Sequence, residues 1–292
     1  MKQQKLTTAT LCLAFLALGI CLLLAAEQTL LAEGVSMCRV TLGEGRGTLF
    51  TPQLGEETSL LLPEEPSGGI HSHSQSVVLG GQCNAALLLG DGVDGQHALA
   101  TELARRGVAV LLPDRKVPAR TAWDWLLDQE YTRADCVALI ASKRCADDAL
   151  ALGTALSATD RSPAATILLG DDDTLLLAAD YPGLDLLILT GKAPGEEARR
   201  AYFGENYGPE REFTGYYGDG TARAAAPARG RLAFSSRATM QRILDWQGSA
   251  LGHAVEIPDD DEIFRRIDAY RIAAVFCVAA AGLIWPLRRK RL

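Results

Sequence analysis

Histidine is scarce in this chain, with four among 292 residues. His71-Ser72-His73 forms an H-x-H pair, but no third ligand accompanies it, so solvated loop histidines are expected rather than a metal site. His97 stands at the start of a helix, and His253 follows the last helix expected in the central region. None is placed as a general base. The seven cysteines show no C-x-x-C or related spacing, which removes the usual zinc and redox motifs. Positive charge is also short, at 29 Lys and Arg against 36 Asp and Glu. A net charge of −7 excludes a phosphate-backbone binder, because that affinity comes from Lys and Arg releasing counterions. No internal repeat is present, so solenoids and propellers drop out. No metal, cofactor or nucleic acid is expected.

The ends supply what the middle lacks. Thr7–Ala26 is apolar and uncharged for 20 residues after Lys2 and Lys5. At a rise of about 1.5 Å per residue that length just spans a hydrocarbon core of roughly 30 Å. A cleaved signal peptide would have a shorter core and a small-x-small site. Leu24-Ala25-Ala26 matches that site weakly, and Ile20 before Cys21 is bulky for a lipoprotein signal, so an uncleaved anchor is expected. Ile272–Leu287 is a second uncharged stretch, followed at once by Arg288, Arg289, Lys290 and Arg291. It shows no polar face. Tyr270 and Trp285 fit the interfaces, and Arg271 would snorkel. With basic clusters on both outer flanks, the positive-inside rule predicts two cytoplasmic termini and an extracytoplasmic centre. The predicted division is an anchor at 1–26, an exported domain at 27–256, an acidic linker at 257–271, a second span at 272–287 and a basic tail at 288–292. The lipid bilayer is thus the expected partner, and no protein partner is indicated. Setting aside the six basic residues of the tails leaves about −13 on the centre. An exported domain permits disulfides. Cys38 and Cys83, which flank early strands, are the expected pair, whereas Cys136 and Cys145 read as core or helix-face residues.

Within the centre, residues 38–51 alternate around a Gly-rich turn and predict a hairpin. Short strands are expected at Ser59–Pro63 and Ser76–Leu79. From Ala85 the pattern changes to apolar runs alternating with helical stretches, the signature of parallel βαβ units. Strands are predicted at 85–89, 108–112, 136–140, 165–169, 184–189 and 223–226. Their near-continuous apolar character predicts a sheet covered on both faces. Helices are predicted at 96–106, 122–129, 146–157, 174–179, 195–203 and 236–247.

Gly90-Asp91-Gly92-Val93-Asp94-Gly95 fits G-x-G-x-x-G between a strand and a helix, with Asp114 following 20 residues after Asp94. By spacing this is a dinucleotide fingerprint. Pro113 directly before the acidic residue argues for a plain tight turn instead. Asp171-Asp172-Asp173 follows a strand end, where a cation could bind, but a solvated turn with Asp173 capping the next helix is the simpler reading.

Residues 85–246 resemble the α/β-hydrolase fold. Its features are a Gly-rich turn after the first parallel strand and Pro113-Asp114 after the second. A strand–turn–helix at 137–152 and the run Gly215-Tyr216-Tyr217-Gly218-Asp219-Gly220-Thr221-Ala222-Arg223 complete the likeness. With Pro227, Gly230, Ser235-Ser236 and Asp245-Trp246, that run looks like a group of bacterial membrane-anchored hydrolase-fold proteins, many of which continue into further spans. The resemblance implies an α/β-hydrolase-like, mostly parallel sheet with helices on both faces, flanked here by one transmembrane helix at each end. It also implies a nucleophile elbow G-x-S-x-G, a G-x-x-D acid loop and a histidine. This chain reads Ala141-Ser142-Lys143-Arg144-Cys145, which puts Lys143 at the nucleophile. It has Ala193 or Pro194 at the acid position, with Glu196 and Glu197 read as first-turn residues of a helix. Arg231 stands at the histidine.

Losing all three points to a degenerate triad and a non-catalytic binding or scaffolding role at the outer face of the membrane. Lys143 and Arg231, with N–H groups of the Gly90, Asp91 and Gly92 turn, could hold a small anionic ligand. The alternative is a serine hydrolase, an esterase or acyl hydrolase, using Ser142 in a shifted turn. Ser142 also reads as a helix N-cap. A second alternative is nucleotide binding at Gly90–Gly95.

Overall fold

The computed structural model describes residues 2–31, 35–52, 83–90, 96–216, 218–228, 237–251 and 269–281. The chain forms two units, residues 34–256 and a smaller one made of residues 1–33 with 257–292. The larger unit is built on one sheet. Its strands are β1 (Val35–Leu42), β2 (Gly45–Pro52), β3 (Cys83–Leu89), β4 (Val108–Pro113), β5 (Thr132–Ser142), β6 (Ala165–Gly170), β7 (Leu186–Thr190), β8 (Phe213–Thr214) and β9 (Arg223–Pro227). Their order is β1-β2-β4-β3-β5-β6-β7-β9-β8. The β1–β2 hairpin turns at Gly43, whose φ of 61° needs glycine, and β2 pairs antiparallel with β4. From β4 through β3, β5, β6 and β7 to β9 every pairing is parallel. The two-residue β8 closes the far edge antiparallel.

The helices follow the crossovers. They are α2 (Gln96–Arg105), α3 (Ala119–Leu127), α4 (Ala146–Leu156), α5 (Asp172–Ala179), α6 (Glu196–Phe203) and α7 (Arg237–Leu251). α2 packs on β2, β4 and α7, while α3 packs on β3, β4 and β5 and beside α4, and α5 touches α4 and α6. Helices therefore cover both faces. β4 and β7 are buried along their whole lengths, which is why they read as unbroken apolar runs rather than alternating ones. Trp123 of α3 is fully buried, and its indole N–H donates to the Arg161 carbonyl at 3.1 Å. The domain is thus an α/β-hydrolase-like fold with a mostly parallel sheet. Because β4 and β5 lie on opposite sides of β3, the strand order reverses there. Such a reversal opens a crevice at the carboxyl ends of β3 and β5.

The glycine-rich run 215–223 lies at the opposite, amino edge. Gly215, Gly218 and Gly220 have φ of 88°, 88° and 76°. A Cβ on Gly215 would sit 2.0 Å from the Thr221 carbonyl oxygen, so no other residue fits. The Asp185 carboxylate, just before β7, accepts from the Gly218 and Ala222 N–H groups at 2.7 and 2.9 Å. Burial holds its carboxyl above the usual carboxylate range, against these hydrogen bonds. Arg223, at the start of β9, donates to the carbonyls of Tyr181, Ala178 and Tyr202 at 2.8, 3.2 and 3.4 Å. Its guanidinium also lies over the Tyr202 ring at 5.0 Å. It therefore serves the ends of α5 and α6, where helix carbonyls lack partners of their own.

Several expectations are corrected. All seven cysteines are free, so the Cys38–Cys83 disulfide does not form. β2 and β4 stand between β1 and β3, and three strand spacings amount to about 14 Å, twice what a disulfide spans. Burial also pushes the Cys38 thiol up to about 11, away from the reactive thiolate. β5 starts at Thr132, earlier than expected, and α7 runs to Leu251. Among the described residues no helix is long and apolar enough to cross a membrane. The expected spans at 7–26 and 272–287 therefore have no support from helix length and hydropathy. The strands expected at 59–63 and 76–79, His71, His73, His253, Arg231 and residues 257–268 of the acidic linker lie outside the described residues, whereas 269–271 of that linker already belong to a helix.

Replacing Arg223 by Lys keeps the charge but loses the fork that reaches three carbonyls. The expected result is a loss of roughly 2 kcal/mol, read as a lower thermal midpoint of the purified full-length protein, with secondary structure unchanged below it.

Candidate functional site at the carboxyl edge

β5 ends in Ser142, and Lys143–Cys145 follows as one 3-10 turn leading into α4. Ser142 has φ −72° and ψ 162°, and Cys145 has φ −110° and ψ 10°. Ser142 is thus extended, and a hydrogen-bonded 3-10 turn carries the chain into α4. A nucleophile elbow holds its serine on a sharp, strained turn, which is what its glycines permit. Ala141 and Cys145 stand where those glycines are expected. Ser142 is only 8% exposed, and its Oγ has no hydrogen-bond partner. It does not cap the helix through its side chain, which corrects the N-cap expectation. A buried hydroxyl without a partner costs about 1–3 kcal/mol, so Ser142 is the one polar group of this turn whose place is not explained by packing.

Lys143 projects from the following position. Its ammonium forms an ion pair with the Asp171 carboxylate and a second, 3.2 Å contact with Asp173 Oδ2. The strand order explains the meeting, since β5 and β6 are parallel neighbours and their carboxyl ends lie side by side. Asp171, not Asp173, is the N-cap of α5. It forms a capping box with Thr174, which fixes the carboxylate that Lys143 meets. Asp172 turns the other way and accepts from the Gly195 N–H at 3.2 Å. The hydrogen bond that the Lys143 ammonium donates to Asp171, and then the one it donates to Asp173, raise its pKa above the ordinary lysine range. Burial pushes the Asp171 carboxyl up, but Lys143 outweighs it and the net shift is downward. Lys143 is therefore held as a cation, the wrong form for a nucleophile or a general base. With two carboxylates beside it, it leaves no surplus positive charge for an anionic ligand.

The other positions are equally occupied by structure. After β7, the Thr190 hydroxyl donates to the Lys192 carbonyl at 2.6 Å, and Ala193 and Pro194 bring no carboxylate. Glu196 pairs within its own helix with Arg200 at 2.6 Å. After β9, Ala228 donates to the Thr190 carbonyl at 2.5 Å, and Arg231 lies beyond the described residues.

At the β3 end, the place a Gly90 Cβ would take is filled by the Gln96 side chain, with Nε2 1.6 Å and Cδ 2.0 Å away. The end of the Gln96 side chain thus occupies the open side of Gly90. Asp114, the carboxylate of the nucleotide reading, is engaged with Arg39 at 3.4 Å. Asp91 and Gly92 are not among the described residues. His97 sits in the first turn of α2, edge-on to Phe50 at 5.4 Å. It borders a cleft of about 140 Å³ with Arg39, Thr48, Gly90 and Asp114. Burial and then the Arg39 charge lower its pKa, and no hydrogen bond links it to Ser142. No group of three or more metal-ligating side chains occurs among the described residues.

No protein-family model and no curated protein matches the chain. Solved structures similar to it include an esterase from Thermogutta terrifontis phosphorylated by paraoxon. That protein is 11% identical, with 76% of this chain and 96% of the esterase covered and a TM-score of 0.46. A dienelactone hydrolase from Anabaena variabilis is 15% identical over 76% of this chain and 100% of its own, with a TM-score of 0.45. At these values the neighbours say nothing of this chain's activity. The fold assignment rests on the strand order and crossovers.

The sequence had not indicated the Lys143–Asp171 pair or the Gln96 packing. The first had a usable signal: neighbouring parallel strands ending in a lysine and an aspartate bring opposite charges to one edge. Because Lys143 depresses Asp171, the pair contributes stability above the unfolded aspartate range, and that contribution is lost as pH falls through the folded value. In Lys143→Met the Asp171 carboxyl should titrate at higher pH than in the wild type, as followed by carboxyl-carbon NMR. An unchanged titration would mean the pair does not form.

Proposed function

We propose that residues 34–256 form a catalytically degenerate hydrolase-fold domain with a binding or scaffolding role, held at the outer face of a cell membrane by the apolar segments 7–26 and 272–287. The observation that carries the first half is the cation at the nucleophile position: Lys143 is paired with Asp171 and Asp173 on a 3-10 turn. Removing one member of a catalytic triad already costs several orders of magnitude, and among the described residues no side chain hydrogen-bonds to the Ser142 hydroxyl. The membrane half rests on the uncharged lengths of the two segments and their basic outer flanks, with both termini cytoplasmic. Protein partners are left open by everything above.

A second reading has one specific observation in its favour. The Ser142 Oγ is buried at the strand end with no partner, which suits a hydroxyl that meets a substrate or base only when the turn shifts. On that reading the protein is a serine hydrolase of small esters or acyl groups. The two readings separate cleanly with an activated fluorophosphonate, which loses fluoride to a nucleophilic serine. The full-length protein should stay unlabelled, as should Ser142→Ala. Labelling of the wild type that vanishes in Ser142→Ala would establish the hydrolase and end the degenerate reading.

A further inference from the structure

The smaller unit contains a contact that the sequence did not suggest. Its two helices are α1 (Lys2–Leu31) and α8 (residues 269–281). Across 11–25 of α1, only Cys12 and Gly19 are buried, and across α8 only Ala274 and Ala281 are. The two sets face each other. The Cys12 thiol lies 3.7 Å from the Ala281 carbonyl oxygen. A Cβ on Gly19 would lie 3.5 Å from both the Ala274 carbonyl oxygen and the Cys277 Cβ. The two contacts are seven residues apart on each helix and run in opposite senses, so the helices are antiparallel with a single heptad-spaced seam. Small residues let the backbones approach this closely, as helices do where lipid removes the hydrophobic driving force between them.

Outside the seam the pair exposes many large apolar side chains. Leu13, Ile20 and Leu24 on α1, and Ile272, Val275 and Phe276 on α8, are all more than half exposed, Phe276 at 72%. Leu11 and Leu18, about half exposed, lie roughly 140–160° around α1 from the Leu13–Ile20–Leu24 stripe, so a partner docking on one face would leave one of these stripes in water, where apolar patches this large do not persist. Hydrocarbon covers every side at once. The antiparallel sense also brings the start of α1 and the end of α8 to the same end of the pair. The sequence places Lys2 and Lys5 at the first and Arg288–Arg291 beyond the second, as a bilayer with one anionic, cytoplasmic face requires.

We propose that α1 and α8 form one two-helix membrane anchor, joined along the Cys12–Gly19/Ala274–Ala281 seam and covered elsewhere by lipid acyl chains. This deepens the membrane half of the proposed function and rests on it. Both ends of the chain then enter the bilayer side by side as one unit rather than as two separate tethers.

Cysteine crosslinking of the full-length protein in its own membranes tests the seam. A Cβ at position 19 makes only ordinary van der Waals contacts, so Gly19→Cys is tolerated, and its Cβ lies within disulfide range of Cys277. Copper-phenanthroline and oxygen take the two electrons and two protons as the thiols join. After proteolysis of the central domain, the terminal fragments of Gly19→Cys should stay linked until reduced, and should separate in Gly19→Cys/Cys277→Ser. Leu18→Cys, which faces outward, should give no link. Separate fragments from Gly19→Cys in carbonate-resistant membranes would overturn the pairing while leaving the anchor intact, and a link between two chains would overturn it too. Extraction of the wild type by carbonate would overturn the membrane reading itself.

Discussion

Burial of a parallel sheet on both faces constrains everything else in the larger unit. The inner strands β3 to β7 must be largely apolar where both faces are covered, and each buried leucine or isoleucine contributes roughly 1.5–3 kcal/mol. Polar side chains with chemistry in them can then project only from the strand ends. At the carboxyl edge the strand reversal around β3 opens the crevice. Among the described residues, those that reach it include Gly90, Ser142, Lys143, Asp171 and the Thr190–Pro194 loop. Several of these groups are committed to one another.

That commitment follows from register. Lys143 and Asp171 stand at the ends of adjacent strands, and the capping box of α5 holds the Asp171 carboxylate before any ligand arrives. An exposed ion pair adds little to stability, so its importance is chemical: it keeps the amine protonated where a hydrolase would need a nucleophile. The amino edge shows the same economy. Asp185, Arg223 and three glycines with positive φ make a loop and a double helix-end clamp. The run 215–223, the strongest sequence link to a family, is therefore explained by folding and carries no information about catalysis.

The strands were legible because continuous apolar runs separated by helical stretches admit few other readings. The hairpin, the six parallel strands and six helices of the larger unit followed from that pattern, with ends shifted by a few residues. β8 was missed because two residues carry no periodicity. Local signals failed where the outcome depended on spatial neighbours. Asp173 read as the cap of the next helix, but α5 starts at Asp172 and Asp171 caps it through Thr174. Cys38 and Cys83 looked paired only because the sequence does not show that β2 and β4 lie between them. The expectation that Lys143 and Ala193 stand at substituted triad positions comes from the sequence alone, and whether an elbow keeps its strain without glycines is a question of backbone angles.

Those angles are the most direct test of the central claim. A crystal structure of the protein, with the map examined over residues 140–146, should show Ser142 extended, Lys143 in a helical turn and its ammonium on the Asp171 carboxylate. A left-handed residue at 142 or 143, presenting a serine hydroxyl to the crevice with Lys143 turned away from Asp171, would contradict it and restore a working elbow.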